Sequence, residues 1–250
     1  MVIRSSLTRL SGRLLLCALL CLGAPAFASA ATTAELDADE DYLDDVGPMV
    51  PDPLEGWNRA MHSFNDGFIE YAARPAYDAY EFVTPSFFRT GVNNFFHNLA
   101  FPVRFTNNLL QGKGRAAGVE MSRFVLNTTA GLGGFIDVAK NHKTIVPVDD
   151  DEDFGQTLGV WGVGEGFYIV WPILGPSTAR DSVGMGVDYF LDPVTYVKPG
   201  ELAAGAAVFR SFNKLDDILD QYDAVNELAV EPYSSFRNAY IQHRRARLDH

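Results

Sequence analysis

The chain has 250 residues and a formal net charge of −12, from 20 basic and 32 acidic side chains. This acidic balance argues against a nucleic-acid-binding protein, which needs a basic face, and against simple electrostatic docking on anionic lipid. Hydrophobic residues make up 47% of the chain and Phe alone occurs 18 times. The chain can therefore bury a core, and it carries more aromatic side chains than that core requires.

The first 30 residues have the pattern of a secretory signal peptide. Basic residues precede a short apolar run, Leu14–Leu22, and small residues follow at the spacing that signal peptidase requires. The run is too short for a membrane anchor, so we predict an exported protein that is cleaved after Ala30 or Ala28. The basic residues are Arg4, Arg9 and Arg13.

Both cysteines of the chain, Cys17 and Cys21, lie inside this signal segment. A bacterial lipoprotein carries its lipid on a cysteine that follows a small residue, whereas Leu16 and Leu20 precede these two. They are therefore a poor fit for a lipid anchor. After cleavage at Ala30 the mature chain has no cysteine, and hence no disulfide, thiol nucleophile or cysteine-based metal site.

Residues 31–51 contain seven acidic residues and no basic one, which is typical of a disordered acidic linker that acts as a solvated tether. The remaining residues, 52–250, show no internal repeat and no strong strand pattern. We predict that they form one mainly α-helical domain.

The first helix is predicted over residues 52–73, where apolar side chains recur on one stripe. Asp52 suits the N-cap of this helix, Pro53 its first position and Glu55 its first turn. The rest of the domain is predicted to be helices and one long loop over residues 135–160. Ser177 is the predicted N-cap of the helix after that loop. The further predicted elements are helices over 84–101, 114–134, 177–190 and 200–230, a short segment over 102–113, and a C-terminal helix that ends in arginines.

No constellation of catalytic or metal-binding residues stands out in the sequence. Asp149, Asp151 and Asp153 alternate as in a calcium loop, but Phe154 stands where that loop needs glycine and Val160 where it needs glutamate. The five histidines are scattered, and the glycine clusters neither follow a strand nor open a helix as a nucleotide site requires. We predict no enzyme activity, no metal and no cofactor.

The aromatic stripes have two interpretations. They can form the core of a helical domain, or some of them can face acyl chains while the helix lies in a membrane interface. Each large apolar side chain that leaves water contributes roughly 1.5–3 kcal/mol. Two or three such helices would therefore hold the protein on a membrane without a spanning segment.

Three strings, DPLEGWNR, LNTTAGLGGFID and FGQTLGVWGVGEG, occur in this order along the chain. With neighbouring strings they cover roughly residues 52–240 and resemble the MlaA/VacJ family of Gram-negative bacteria. The family-motif residues are Asp52, Pro53, Glu55, Trp57, Asn58, Arg59, Phe64, Asn65, Gly133, Gly134, Phe135 and Asp137.

The resemblance implies a phospholipid-transport protein of the outer membrane. Family members take phospholipids mislocalised to the outer leaflet and pass them to a soluble periplasmic carrier, which maintains outer-membrane lipid asymmetry. The family fold is a single-domain ring of amphipathic helices that lies in one leaflet, with a central amphipathic channel, often beside a porin trimer. The expected partners are therefore phospholipid, a porin trimer, a soluble periplasmic lipid-carrier protein and the inner leaflet of the outer membrane, on its periplasmic side.

Uncharged polar residues beside the aromatic stripes suit the lining of such a channel, because a lipid headgroup needs polar surroundings. Helix capping and loop hydrogen bonds explain such residues just as well. The candidates are Asn93, Asn94 and Asn127, together with Asn98, Asn107, Asn108, Thr128 and Thr129.

The stretch WGVGEGFYIVWPILGP, residues 161–176, is too short to cross a bilayer as a helix and too rich in Gly and Pro for a buried helix or central strand. Given the resemblance, we predict a re-entrant or hairpin element at the channel mouth, with its glycines as a hinge that sets the opening. A tight buried turn is the alternative. The hinge glycines are Gly162, Gly164 and Gly166, and the side chains expected to meet lipid or the inner wall are Phe167, Tyr168 and Trp171.

Two other functions stay open at this point. One is a structural protein that stabilises the envelope through porin contacts without conducting lipid. The other is a soluble periplasmic lipid-modifying enzyme, which phospholipase activity dependent on one serine or carboxylate would reveal.

Overall fold

The computed structural model describes residues 50–142, 145 and 151–248, and it confirms the mainly α-helical architecture. One two-stranded antiparallel hairpin interrupts the helices. The helices are α1 (Glu55–Phe68), α2 (Arg74–Val83), α3 (Ser86–Leu99), α4 (Phe101–Leu110), α5 (Gly114–Ala130), α6 (Phe154–Val160), α7 (Ala179–Leu191), α8 (Gly200–Asn213), α9 (Leu215–Leu228) and α10 (Pro232–Ala246). The strands are β1 (Tyr168–Trp171) and β2 (Gly175–Thr178), and a π-helical turn (Ile69–Ala73) joins α1 to α2. The predicted signal peptide with Cys17 and Cys21, the linker up to residue 49, and Asp149 lie outside the described residues.

The first helix begins three residues after Asp52, which corrects its predicted role as N-cap. Leu54 is the residue before the helix, and it makes no side-chain capping bond. The Asp52 carboxylate instead accepts hydrogen bonds from Asn58 Nδ2 at 2.7 Å and from the Tyr233 hydroxyl. Asp52 therefore links α1 to α10 through its hydrogen bonds to Asn58 and Tyr233, and it does not cap the first backbone amides of α1.

Three predicted elements in the middle of the chain also need correction. Residues 102–113 are not a mere short segment, because α4 begins at Phe101 with Pro102 in its first turn, where the missing amide costs nothing. The predicted loop contains α6, which Asp153 caps by accepting from Gln156 N at 2.8 Å. Thr178 rather than Ser177 caps α7, since its hydroxyl accepts from Asp181 N at 3.1 Å.

The predicted long helix over 200–230 is two helices. It breaks at Lys214, which ends α8 and precedes α9. The aspartates that follow, Asp216 and Asp217, lie in the first turn of α9, where acidic side chains are favoured by the helix dipole. The amphipathic pattern continues through the break, so periodicity alone does not reveal it.

The hairpin lies between α1 and α10 and forms the larger of two apolar clusters. Alternate residues of β1, Tyr168 and Val170, point inward, as the period of a strand requires, and they pack with Tyr233, Tyr240 and Ile241. A second cluster, built on Val92, Phe96, Val194 and Ala207, joins α3 to α8. The apolar cores are therefore small and separate.

Large apolar side chains are abundant on the outside, while polar side chains are abundant inside. Phe82 is 91% exposed and Leu228 is 81% exposed, whereas Asn58 and Asn107 are fully buried. The number of buried polar residues is unusually high beside the buried hydrophobic ones, and extended apolar surface marks a face that meets membrane or protein. Among the described residues, no helix combines the length and the apolar character needed to cross a membrane.

Candidate functional site

A partly open cavity of about 660 Å³ lies between the hairpin and the helices α3, α4, α7, α8 and α10. One part of its wall is apolar and another part is charged, so the cavity is amphipathic. The large apolar side chains of the wall are Phe96, Val103, Trp171, Leu174, Met185, Phe190 and Val194. The charged side chains are Arg104, Asp151, Glu152, Asp153, Asp181, Asp188, Asp192, Arg210, Lys214, Arg244 and Arg247, with His97 beside them.

The charges of the wall are held in ion pairs that link different helices. Arg210 Nη1 of α8 lies 2.5 Å from Asp192 Oδ2, just after α7. Arg244 of α10 contacts Asp153 at 2.5 Å and Asp181 at 2.9 Å, so it joins the start of α6 to α7. Because these pairs are mostly buried, they fix the relative positions of the helices around the cavity.

Three carboxylates of the wall have shifted pKa values. Burial acts to raise the pKa of Asp181, but the charges of Arg244 and Arg180 outweigh it and lower that pKa. Burial raises the pKa of Asp188 to about 6, although Phe154 N and Asn107 donate hydrogen bonds to it. Burial also acts to raise the pKa of Asp151, but its neighbours His97, Arg104 and Lys214 outweigh it together and hold that pKa well below its usual range. His97 Nε2 lies 2.9 Å from Asp151 Oδ1. Asp151 is therefore anionic at neutral pH.

Helix α1 completes the outer edge of the hairpin as a third strand would. Asn58 Nδ2 donates to Tyr168 O at 3.1 Å, and Asn58 Oδ1 accepts from Val170 N at 2.7 Å. The Val170 carbonyl accepts from Trp57 Nε1 at 3.1 Å. Tyr168 N donates to Pro51 O at 3.0 Å, so the outward-facing backbone groups of Tyr168 and Val170 in β1 all have partners, which an isolated two-stranded hairpin lacks.

The turn of the hairpin is held by a second asparagine, two helical turns further along the same face of α1. Asn65 Nδ2 donates to Trp171 O at 3.0 Å, and Asn65 Oδ1 accepts from Ile173 N at 2.6 Å. Ile173 has a φ of +69°, a strained value for a β-branched residue. The family-motif residues Asn58 and Asn65 therefore position the hairpin against α1.

The three glycines predicted to act as a hinge differ in conformation. Gly162 and Gly166 have φ values of +85° and +76°, a region that other residues rarely adopt. A Cβ at Gly166 would lie 2.9 Å from Ala179 Cβ, whereas one at Gly164 would meet nothing within 4 Å. Only Gly164 is therefore free of a conformational or steric requirement for glycine in this structure.

The predicted lipid-path side chains of β1 lie in three different environments. Phe167 is exposed, and Trp171 lines the cavity with its indole N–H bonded to Ser182 Oγ at 2.9 Å. Tyr168 is only 1% exposed and packs against Tyr233, so its ring does not reach an open surface. Of the three, Trp171 is the one that lines the cavity.

The predicted polar lining residues make internal hydrogen bonds instead of facing the cavity. Asn93 accepts from Asn213 at 2.6 Å, and Asn94 donates to Phe135 O at 3.3 Å. Asn127 is buried, donates to Asp137 at 2.9 Å and accepts from Ala139 N at 2.9 Å. Asn94 and Asn127 thus bond to the loop segment after α5, as the alternative interpretation expects, whereas Asn93 bonds to the last residue of α8.

The GLGGFID string is a packing element between α3 and α5. Gly134 lies so close to Asn98 that a Cβ would be 2.4 Å from the Asn98 Cβ, and Gly133 has a φ of +72°. The Phe135 ring covers Gly91 of α3, where a Cβ would be 2.2 Å from the ring. Asp137 pairs with Arg123 at 2.8 Å. These residues hold α3 against the end of α5, on one side of the cavity.

Three of the remaining family-motif residues, Glu55, Arg59 and Phe64, lie on the outer side of α1, whereas Pro53 precedes the helix and is not its first residue as predicted. Arg59 pairs with Glu55 at 2.8 Å and with Glu231 at 2.7 Å. Phe64 and Pro53 are exposed. Surface ion pairs of this kind contribute little to stability, and here they connect α1 to the start of α10.

The sequence did not predict the charged wall of the cavity. Arg104, Arg210 and Arg244 come from three distant helices and form no local pattern, so only their convergence in space identifies them. No group of His, Cys, Asp and Glu side chains that could hold a metal ion occurs among residues 50–142, 145 and 151–248.

A family profile described as "MlaA lipoprotein" matches residues 50–247 of the chain. The chain belongs to the MlaA family. It is 36% identical over 192 residues to the "Intermembrane phospholipid transport system lipoprotein MlaA" of Escherichia coli (strain K12), with 76% of each chain covered. The protein of the same name from Haemophilus influenzae is 36% identical over 201 residues, again with 76% of each chain covered.

A solved structure with the same fold is also related in sequence to this MlaA-family chain. It comes from work on the structural basis for maintenance of bacterial outer membrane lipid asymmetry. The two structures share 34% identity and a TM-score of 0.68, with 78% of this chain and 97% of that chain covered. The part of the chain that matches the MlaA family includes the hairpin, both α1 asparagines and the cavity wall.

Proposed function

We propose that this protein transports phospholipid between the membranes of the cell envelope, and that it thereby maintains the lipid asymmetry of the outer membrane. Its relatives are named for intermembrane phospholipid transport, and the related solved structure comes from work on outer membrane lipid asymmetry. The observation that carries the proposal is the amphipathic cavity of about 660 Å³, because phospholipid is itself amphipathic. A cavity of this size lies within the ordinary range of small-molecule sites, roughly 300–1,000 Å³.

The helices would surround the lipid path as a ring that lies in the inner leaflet of the outer membrane. The exposed apolar side chains support this placement, in particular Phe82, Val83 and Phe87 near the junction of α2 and α3. Each of them would contribute roughly 1.5–3 kcal/mol on leaving water. Adhesion of this kind needs no lipid anchor, so Cys17 and Cys21 need not be lipidated.

Lipid would move through the cavity with its headgroup along the charged wall and its acyl chains along the apolar side chains. Trp171 and Leu174 of the hairpin belong to the apolar wall, so displacement of the hairpin changes the width of the path. The segment Gly162–Gly166 would be the hinge for this displacement. The protein itself performs no chemistry on the lipid, and direction comes from its partners, a soluble periplasmic lipid carrier and a porin trimer beside the ring.

The direct test is purification of the full protein from its own membranes in mild detergent, followed by mass spectrometry of bound lipid and of the mature N-terminus. Co-purifying phospholipid supports transport, and the N-terminal mass decides whether a cysteine is lipidated. Deletion of the gene should raise outer-leaflet phospholipid and sensitivity to detergent. A lipid-free protein that still binds a porin, with normal asymmetry after deletion, would favour the purely structural role instead.

A separate experiment tests the role of the glycine segment as a hinge, and the space around each glycine decides which one to replace. Gly164→Val places a branched side chain where nothing lies within 4 Å, so it stiffens the segment without a clash. Gly118→Val on α5 is the matched control, since that glycine is also exposed and free of neighbours. We expect slower lipid transfer for Gly164→Val alone, with unchanged helical content. Equal transfer by both variants would remove the hinge from the mechanism.

A further inference from the structure

The charged wall of the cavity carries no excess of positive charge. Among the described residues that line it, six carboxylates accompany five side chains that are permanently cationic. The carboxylates are Asp151, Glu152, Asp153, Asp181, Asp188 and Asp192, and the cations are Arg104, Arg210, Lys214, Arg244 and Arg247. An anion-binding site has more cationic than anionic side chains, because phosphate recognition relies on surplus guanidinium or ammonium groups.

Three arginines of this wall, Arg104, Arg210 and Arg244, are already engaged by carboxylates of the protein. Arg210 and Asp192 lie 2.5 Å apart, with side chains only 18% and 11% exposed. Arg104 lies 2.9 Å from Glu120 and 3.5 Å from Asp151. An anionic ligand that binds any of these three arginines would have to displace its carboxylate and leave that carboxylate without its partner, which is strongly unfavourable.

We propose that this cavity prefers zwitterionic phospholipid headgroups to anionic ones, an inference that rests on the proposed transport function. A phosphate–ammonium headgroup adds no net charge to the wall. Its phosphate can share the Arg210 guanidinium while its ammonium approaches Asp192, so the existing pair opens into two compensated contacts. A headgroup with a net charge of −1 has no group to offer Asp192, and it is repelled by the carboxylates of the wall.

The preference can be measured on the full protein in mild detergent, equilibrated with vesicles that contain equal amounts of phosphatidylethanolamine and phosphatidylglycerol with identical acyl chains. Mass spectrometry of bound lipid should show about fivefold enrichment of phosphatidylethanolamine, the scale of one screened like-charge interaction. Equal binding or a preference for phosphatidylglycerol would overturn the selectivity while leaving transport in place. Binding of neither lipid would overturn the proposed function as well.

Two substitutions at the same ion pair should shift the ratio in opposite directions. Asp192→Asn frees the Arg210 charge but keeps the oxygen that accepts from Val194 N at 2.9 Å, so bound phosphatidylglycerol should rise severalfold. Arg210→Gln leaves Asp192 unpaired, so the discrimination should become stronger. Asp223→Asn changes the net charge equally, outside the cavity, and should leave the ratio unchanged. If Asp192→Asn loses its helical signal, Arg210→Gln decides: an unchanged or weaker preference refutes the inference.

Discussion

Replacement of Asn65 by alanine removes both hydrogen bonds by which α1 holds the turn of the hairpin. Each such bond contributes about 0.5–1.5 kcal/mol net, so the free energy of unfolding should fall by about 1–3 kcal/mol. The released groups, Trp171 O and Ile173 N, belong to half-buried residues and can regain water. Asn58→Ala should cost more, about 3–5 kcal/mol, because Asn58 is fully buried, makes three hydrogen bonds and leaves orphaned groups without water.

Urea unfolding followed by circular dichroism measures the first effect, and amide hydrogen exchange locates it. In Asn65→Ala, exchange should accelerate at residues 171–174 while α1 and α10 keep their protection. Asn94→Ala is the control, since it removes one long hydrogen bond to Phe135 O on another part of the domain. If Asn65→Ala is no less stable than the control and leaves hairpin exchange unchanged, α1 does not position the hairpin as we infer.

Four other substitutions test further contacts and one buried carboxylate of the structure. Gly166→Ala should lower the free energy of unfolding by about 1–2 kcal/mol because of its left-handed backbone, and by more because its Cβ would contact Ala179. Gly164→Ala should change the free energy of unfolding by no more than about 0.5 kcal/mol in the same urea assay. Gly91→Ala should cost about 1–3 kcal/mol because its Cβ would overlap the Phe135 ring, and full stability would refute that packing. The folded pKa of Asp188, about 6, lies above the ordinary 3.8, so the folded state binds the extra proton and loses stability as pH rises from about 4 to about 6. Asp188→Asn should abolish that loss, which is at most about 3 kcal/mol. If the free energy of unfolding in urea changes equally with pH in the variant and the wild type, from about pH 4 to about pH 7, the raised pKa is contradicted.

In the hairpin segment, the local sequence pattern predicts the course of the backbone but not its partners. Gly and Pro exclude a regular buried helix in residues 161–176, and the chain does reverse there. The bonding of α1 to the edge of β1 was not predictable, because nothing in the sequence distinguishes Asn58 and Asn65 from ordinary helix residues. Helix α6 was missed for a similar reason, since seven residues with two glycines have weak propensity and depend on the Asp153 cap.

The sequence by itself determined the mainly helical class, the acidic charge and the abundance of aromatic stripes, because each depends on composition or on a period of a few residues. It also carried the family, because the motif strings are local. Only the tertiary structure decided which aromatic side chains remain outside, which asparagines are internal braces, and which charges meet around the cavity. The physical reason is that Arg104, Asp192, Arg210 and Arg244 are brought together by helix packing alone. No periodicity along the chain encodes the contact between such distant residues.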